Sequence, residues 1–347
     1  MKVEPISAFS HQNSGGKPPL DHPKARQLTQ RHDTDHTPNA KDHGGGLDAA
    51  AQTFGGTRET WIDLSTGINP MPYDVGAIPP NAWTALPDAG AQNALIDAAR
   101  AFWNVPDGAA ILAAPGASCL IANMPRLAAA GPVSISGPTY NEHAAAFEIA
   151  GWTVNGDDPV ASVVVNPNNP DGRIWPSNTS SPQLRIIDES FCDVTPNVTH
   201  MADAATSGTV ILKSFGKFWG LAGLRLGFAI GDPELIGALK DMLGPWPVSG
   251  PAQHIGANAL RDLQWAAETR ARLEKDSARL DTLMTAKGAR VVGGTTLFRL
   301  YDVGDAAAWQ NRLAQSHIWS RIFPYSDRWL RLGLPHPLDW ARLEDAL

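Results

Sequence analysis

The chain predicts an α/β fold with a mainly parallel central sheet, helices on both faces, and a smaller α+β domain at its C-terminal end. Three observations carry this. From Trp61 onward, apolar runs of strand length alternate with stretches of helical periodicity, the pattern of an α/β layer. Polar and glycine-rich segments follow the ends of those runs, where parallel sheets bind ligands. Beyond about residue 245 the alternation gives way to a long helical stretch and then short strands.

Residues 1–42 are rich in His, Asp, Pro, Gln and Lys and carry almost no periodic apolar residues, so a disordered or extended lead-in is expected there. Five histidines, His11, His22, His32, His36 and His43, fall in or beside it. Their spacings match no metal motif, and no metal site is expected. Strands are predicted near 109–114, 132–136, 161–165, 184–188, 209–213 and 225–230, and helices near 90–103, 117–130, 141–150 and 232–243. After Pro251 one long helix should run to about Lys287. Arg290 to Asp302 then returns to strand character, and Ile318 to Leu332 holds further short strands. The expected division is a large domain over 43–244 and a small one over 245–347. Gly44-x-Gly46-x-x-Ala49 has the glycine spacing of a dinucleotide loop, but no strand precedes it, which excludes that reading.

At 347 residues, 18% charged and 43% hydrophobic, the chain can bury a substantial core. The net charge of -7, with no block of Lys and Arg, argues against a nucleic-acid partner. Anionic small molecules must then be held by a few placed cations. Cys119 and Cys192 alone build neither a disulfide framework nor a zinc site. With no apolar leader and no run of eighteen apolar residues, the reading is a cytoplasmic protein without membrane partners.

Five successive strand ends carry chemistry: Pro115-Gly-Ala-Ser118, Gly137-Pro-Thr-Tyr140, Asn166 to Gly172, Asp188-Glu-Ser-Phe191, and Ser214-Phe-Gly-Lys217. Lys217 sits among small and apolar neighbours in a segment that continues to Arg225 and Gly227. Partial desolvation there lowers a lysine pKa, and the free amine is a nucleophile able to condense with an aldehyde cofactor. Ser214 and Arg225 can hold a phosphate. Gly116, Ala117 and Ser118 open a helix whose N–H groups can take the same phosphate, or Ser118 simply caps that helix. Asp188 closes an apolar strand, where a carboxylate needs a cationic partner such as a protonated pyridine nitrogen. Together they describe a site for pyridoxal phosphate (PLP).

These segments resemble those of fold-type I PLP-dependent enzymes, in the branch that holds histidinol-phosphate aminotransferase and the threonine-phosphate decarboxylase of cobalamin synthesis. The resemblance spans about residues 43 to 335. It implies that Lys217 carries the cofactor, that Asp188 holds the pyridinium, that Tyr140 stacks over the ring and that Asn169 bonds its phenolic oxygen. It further implies that Arg331, in Trp-Leu-Arg-Leu-Gly, clamps the substrate carboxylate, with Arg321 a second anion ligand. His43-Gly44-Gly-Gly and Ile62-Asp-Leu-Ser-Thr-Gly-Ile-Asn69-Pro are similar to the opening of the decarboxylases, where such segments line the substrate mouth. Gly244-Pro-Trp-Pro-Val is similar to members of that same branch. Phe191 and Leu86 stand where many aminotransferases carry tyrosines.

The expected activity is therefore decarboxylation of a phosphorylated amino acid, L-threonine O-3-phosphate, by a homodimer. Transamination of a phosphorylated amine such as histidinol phosphate is the alternative, and a catalytically idle binding module of the same fold is a third. No single residue in the sequence separates the first two, since both begin with the same condensation.

Overall fold

The computed structural model describes residues 43–177 and 183–347, so the lead-in expected over 1–42 lies outside the described residues. The described chain begins with α1 (Leu47–Phe54), β1 (Ile62–Asp63), α2 (Pro80–Thr84) and α3 (Ala89–Trp103). A seven-stranded sheet follows, built from β2 (Ala110–Ala114), β3 (Pro132–Ile135), β4 (Thr153–Val154), β5 (Ala161–Val165), β6 (Leu184–Asp188), β7 (Thr209–Ser214) and β8 (Gly227–Gly231). Its spatial order is β2-β8-β7-β6-β5-β3-β4. Helices α4 (Ala117–Asn123), α5 (Asn141–Ile149) and α6 (Pro233–Leu243) are interleaved with these strands.

Period-two alternation explains why both faces are covered. In β7, Val210 and Leu212 enter one hydrophobic cluster, with Leu120 and Phe147 of α4 and α5, while Ile211 enters the other. In β8, Ala229 joins the first cluster, and Phe228 and Ile230 join the second. Each such fully buried aromatic or aliphatic side chain contributes about 1.5–3 kcal/mol. The sheet is parallel except for β8, which runs antiparallel to both β2 and β7. Only residues 215–226, without a crossover helix, join β7 to β8, so the chain returns antiparallel.

Three boundaries differ from expectation. The helix predicted over 117–130 stops at Asn123 and continues as a 3-10 turn, Met124–Leu127, because Pro125 supplies no N–H to the α-helical ladder. The strand predicted from 225 starts at Gly227, since Arg225 is left-handed at φ 54°. The long helix expected after Pro251 is two, α7 (Gly250–Arg261) and α8 (Leu263–Ala286). Asp262 breaks it: its backbone leaves the helical region, at φ -87° and ψ 74°, and its side chain accepts from Trp265 N at 2.9 Å, an N-cap that starts a second helix.

The C-terminal part adds β9 (Arg290–Thr295), β10 (Phe298–Asp302), α9 (Ala306–Gln315), β11 (Ile318–Trp319), β12 (Arg321–Phe323), β13 (Ser326–Gly333) and α10 (Trp340–Ala346). The stretch of strand character over 290–302 is thus a hairpin. A four-stranded antiparallel sheet has the order β12-β13-β10-β9, and β1 pairs in parallel with β11. The larger hydrophobic cluster runs without interruption from one face of the seven-stranded sheet through α7 and α8 to this second sheet. It fixes Arg331, on β13, relative to the strand ends of the large sheet.

Candidate active site

Lys217 sits just past the end of β7. Burial, the nearby Arg331 and, more weakly, Arg225 lower its pKa to about 8, with Asp188 opposing. Its Nζ lies 5.4 Å from the centre of the Phe191 ring. An amine at that value is neutral in a substantial fraction of molecules near physiological pH, which is what a nucleophile requires.

Two adjoining cavities share Lys217, Tyr140, Asn169 and Phe191 in their walls. The inner one, about 110 Å³, places Asp188 and Ser190 with Ser118, Ser214 and Arg225 around a single space. Asp188 is buried, and its Oδ2 is 2.9 Å from His143 Nε2. Its Oδ1 accepts from Ser190 Oγ at 2.6 Å and from Ser190 N at 2.9 Å. Burial acts to raise its pKa, but the bond and charge of His143 and the Ser190 bonds prevail, and the carboxyl is held below its ordinary value. Asp188 is therefore an anion at neutral pH. Tyr140 precedes α5 and its phenol is pushed up to about 12, first by burial and then by Glu142 and Asp188, so it stays protonated.

At the other end, Gly116 takes φ 86°, and a Cβ there would sit 2.7 Å from Arg225 Nη2. Only glycine allows the guanidinium to approach this loop. Gly227 is constrained likewise, since its Cβ would lie 2.6 Å from Ala117 N. The α4 cap is Gly116 with no side-chain bond, so Ser118 does not cap the helix and its hydroxyl faces the inner cavity.

The outer cavity, about 250 Å³, is lined by His43, Gly44, Arg321 and Arg331 together with the four shared residues, and by Phe323 and Tyr325 of the β12–β13 turn. Arg331 is buried; its Nη2 donates to Ser65 O at 2.6 Å and its Nη1 to Asn169 Oδ1. Its guanidinium carbon lies 5.1 Å from the Phe298 ring centre. His43 Nε2 is 3.0 Å from Glu142 Oε1, and Gly44 is required because a Cβ would meet Ser65 O at 2.6 Å. Arg321 and Arg331 thus lie on one side of Lys217, and Asp188, three serines and Arg225 on the other.

Of the candidate site residues singled out in the sequence, Gly116 and Asn69 fall outside both linings; Gly116 adjoins the inner one through Ala117, whereas Asn69 is turned away from the site. It is buried at 2% exposure, and its amide is taken up by protein groups: Nδ2 donates to Phe218 O at 2.9 Å, and Oδ1 accepts from Arg272 Nη2 at 2.7 Å and Met71 N at 3.1 Å. It does not line the substrate mouth as expected. Two residues were missed. His143 lies one helical turn after Tyr140, a spacing that puts both on one face of α5, and Ser190 follows Asp188 by two. Either could have been read from those offsets once Asp188 was identified.

The family model for aminotransferase class I and II matches residues 159–339. The chain is 41% identical to a threonine-phosphate decarboxylase from Sinorhizobium sp, the alignment covering 88% of this chain and 97% of that protein. It is 39% identical to a threonine-phosphate decarboxylase from Pseudomonas aeruginosa, over 88% and 97%. Among solved structures it is similar in fold to a histidinol-phosphate aminotransferase from Sinorhizobium meliloti in complex with pyridoxal-5'-phosphate, with a TM-score of 0.73 and 19% identity, covering 87% of this chain and 93% of that one.

Proposed function

The chain belongs to the aminotransferase class I and II family, and from that premise we propose that it is a PLP-dependent decarboxylase converting L-threonine O-3-phosphate to (R)-1-aminopropan-2-yl phosphate in cobalamin synthesis. The observation that carries the reading is the pair of cavities meeting at Lys217, one suited to the cofactor and one to a substrate with two anionic groups.

The inner cavity fits the cofactor on chemical grounds. Asp188, kept ionised by His143 and Ser190, would pair with a pyridinium. Ser118, Ser214 and Arg225 would take the phosphate, with Gly116 and Ala117 supplying backbone at close approach. Tyr140 and Asn169 would flank the ring. When bound, the cofactor supplies an electron sink for the charge left at Cα when a bond there breaks.

The protein's own groups decide which bond that is. Arg331 and Asn169, already joined by a hydrogen bond, offer the substrate carboxylate a fixed guanidinium, and Arg321 and His43 face the opening where the substrate phosphate would lie. Holding both ends would fix the orientation of the carboxylate in the site. Phe191 presents an apolar face to the Lys217 amine, and a carboxylate losing charge as carbon dioxide gains from apolar surroundings. Lys217 Nζ, with its pKa near 8, then returns a proton to Cα. Atoms balance: carbon dioxide leaves and one proton takes its place.

Incubation with threonine phosphate, with carbon dioxide and keto acid both followed, tests this. Carbon dioxide should appear without any keto-acid acceptor, and L-threonine should react far more slowly. An absolute need for 2-oxoglutarate would replace this reading with the aminotransferase one. The exposed apolar side chains Trp83 and Leu86 fit a homodimer, which a fully active monomer in sedimentation would refute.

A further inference from the structure

Three consecutive carbonyls of the lysine turn accept hydrogen bonds from one short segment of a different part of the chain. Asn69 N donates to Lys217 O at 3.0 Å, Asn69 Nδ2 to Phe218 O at 2.9 Å, and Tyr73 N to Trp219 O at 2.9 Å. The middle bond is the only one of the three made by a side chain. That side chain is itself held, because its Oδ1 accepts from Arg272 Nη2 at 2.7 Å, and Arg272 Nη1 is 3.3 Å from Asp276 Oδ2 one turn along α8. The approach is tight: Gly220 has φ 70°, and a Cβ there would stand 2.7 Å from Pro72 Cα and 2.9 Å from Asn69 O.

From this arrangement we infer that Asn69 is a positioning residue for Lys217, with Arg272 setting the orientation of its amide. The inference rests on reading Lys217 as the cofactor lysine. Its physical basis is the shape of the turn. Lys217 lies between a strand end and a left-handed glycine, in a turn whose own backbone bonds, Gly220 N to Lys217 O and Leu221 N to Phe215 O, leave the Phe218 and Trp219 carbonyls to other segments. Phe218 and Trp219 anchor the loop from below, Trp219 stacking on Trp265 of α8 at 5.1 Å and the Arg270 guanidinium lying 5.1 Å from the Phe218 ring. Those contacts fix the depth of the turn. Bonds to the carbonyls of the 217–218 and 218–219 peptides fix their rotation, and with it the direction in which the lysine side chain leaves the backbone. Because Arg272 belongs to α8, the same helix sets the depth of the turn and its rotation.

A substrate-contacting Asn69 and a positioning Asn69 give different signatures. Asn69→Ala, Asn69→Asp and Arg272→Lys would be compared with the unaltered enzyme, loaded with cofactor, in three measurements. These are the peptide labelled after borohydride reduction, the pH titration of the visible absorbance of the bound cofactor, and kcat and KM for threonine phosphate. Expected is labelling at Lys217 throughout, an absorbance titration displaced by about one pH unit or more in both Asn69 variants, and kcat reduced about ten- to a hundredfold with KM within about threefold. Asn69→Asp keeps an acceptor for Arg272 but loses the donor to Phe218 O, so it should resemble the alanine variant. Arg272→Lys, which leaves Asn69 in place, should shift both readouts in the same direction by less. A KM raised about tenfold or more with the absorbance titration unmoved would overturn the inference and restore Asn69 to the substrate mouth, and unchanged parameters would overturn it outright. A label on another lysine would overturn the cofactor assignment and this inference with it.

Discussion

Replacing Lys217 by methionine should make the cofactor-free protein more stable at pH 7, and the gain should vanish as the pH rises. The amine is enclosed with Arg331 and Arg225 nearby, and its pKa falls from 10.5 to about 8. That displacement corresponds to about 3 kcal/mol against the charged form. The sign follows from proton counting: between pH 8 and 10.5 the unfolded chain holds a proton on Lys217 that the folded chain has released, so stability rises with pH in that window. At pH 7 both states are mostly charged and the folded one bears nearly the whole penalty; at pH 10 only about 1 kcal/mol of it remains. Methionine has a similar length and carries no charge. Lys217→Met should therefore exceed the wild type by about 2–3 kcal/mol at pH 7 and by about 1 kcal/mol or less at pH 10. Urea unfolding of both cofactor-free proteins at equal concentration and at the two pH values measures the difference, in which every other titrating group cancels. A difference independent of pH, or a variant less stable at pH 7, would show that Lys217 is not the strained base described here.

Asp188→Asn should lower kcat far more than it changes KM, because the lost partner of the pyridinium acts in the transition state; a near-normal kcat would refute that role. Arg225→Ala should instead loosen the cofactor, measured as a faster loss of visible absorbance on dialysis, while leaving the turn around Lys217 intact. Lys213→Ala should cost about 3–5 kcal/mol in urea unfolding, because the buried Glu189 carboxylate, 2.7 Å from Lys213 Nζ, and Asp193, at 3.5 Å, would lose their cation. A loss under about 1 kcal/mol would mean that water reaches those carboxylates.

Much of the site was legible because parallel strands deliver their polar ends to one edge. Once the apolar runs ending at Ala114, Val165, Asp188 and Ser214 were placed, the loops after them had to converge. What the sequence hid were interactions between segments distant along the chain. Asn69 reads from the Ile-Asn-Pro segment as lining the substrate mouth, and only the fold brings it beneath Phe218, with Arg272, 203 residues later, behind it. The break at Asp262 was hidden for a different reason: an aspartate inside a helical pattern is read as a polar face until its non-helical backbone shows it to be a cap. His143 follows Tyr140 by three positions, but that offset gains meaning only once Asp188 is identified as its partner, 2.9 Å away.

The two lysines at 213 and 217 show how position rather than composition makes a nucleophile. Both are enclosed, and burial pulls the pKa of each down. Lys213 lies on β7, on the face shared with Ile211, where Glu189 and Asp193 close on it, and the carboxylates reverse the effect of burial so that it remains charged. Lys217 lies beyond the strand end, where the nearby carboxylate is Asp188, already engaged by His143 and Ser190, and where Arg331 adds repulsion. Asp188 and Glu189 are neighbours in sequence, but alternation along the chain sends Glu189 to the structural lysine and Asp188 to the cavity. Glu189 too is held by other groups, accepting from Thr199 Oγ1 at 2.6 Å and from His200 N at 2.5 Å, so what sets Lys213 apart is the second carboxylate, Asp193, beside it. His143 keeps Asp188 ionised, which favours the charged form of Lys217, so the free amine rests on enclosure and the repulsion of Arg331 outweighing that pull.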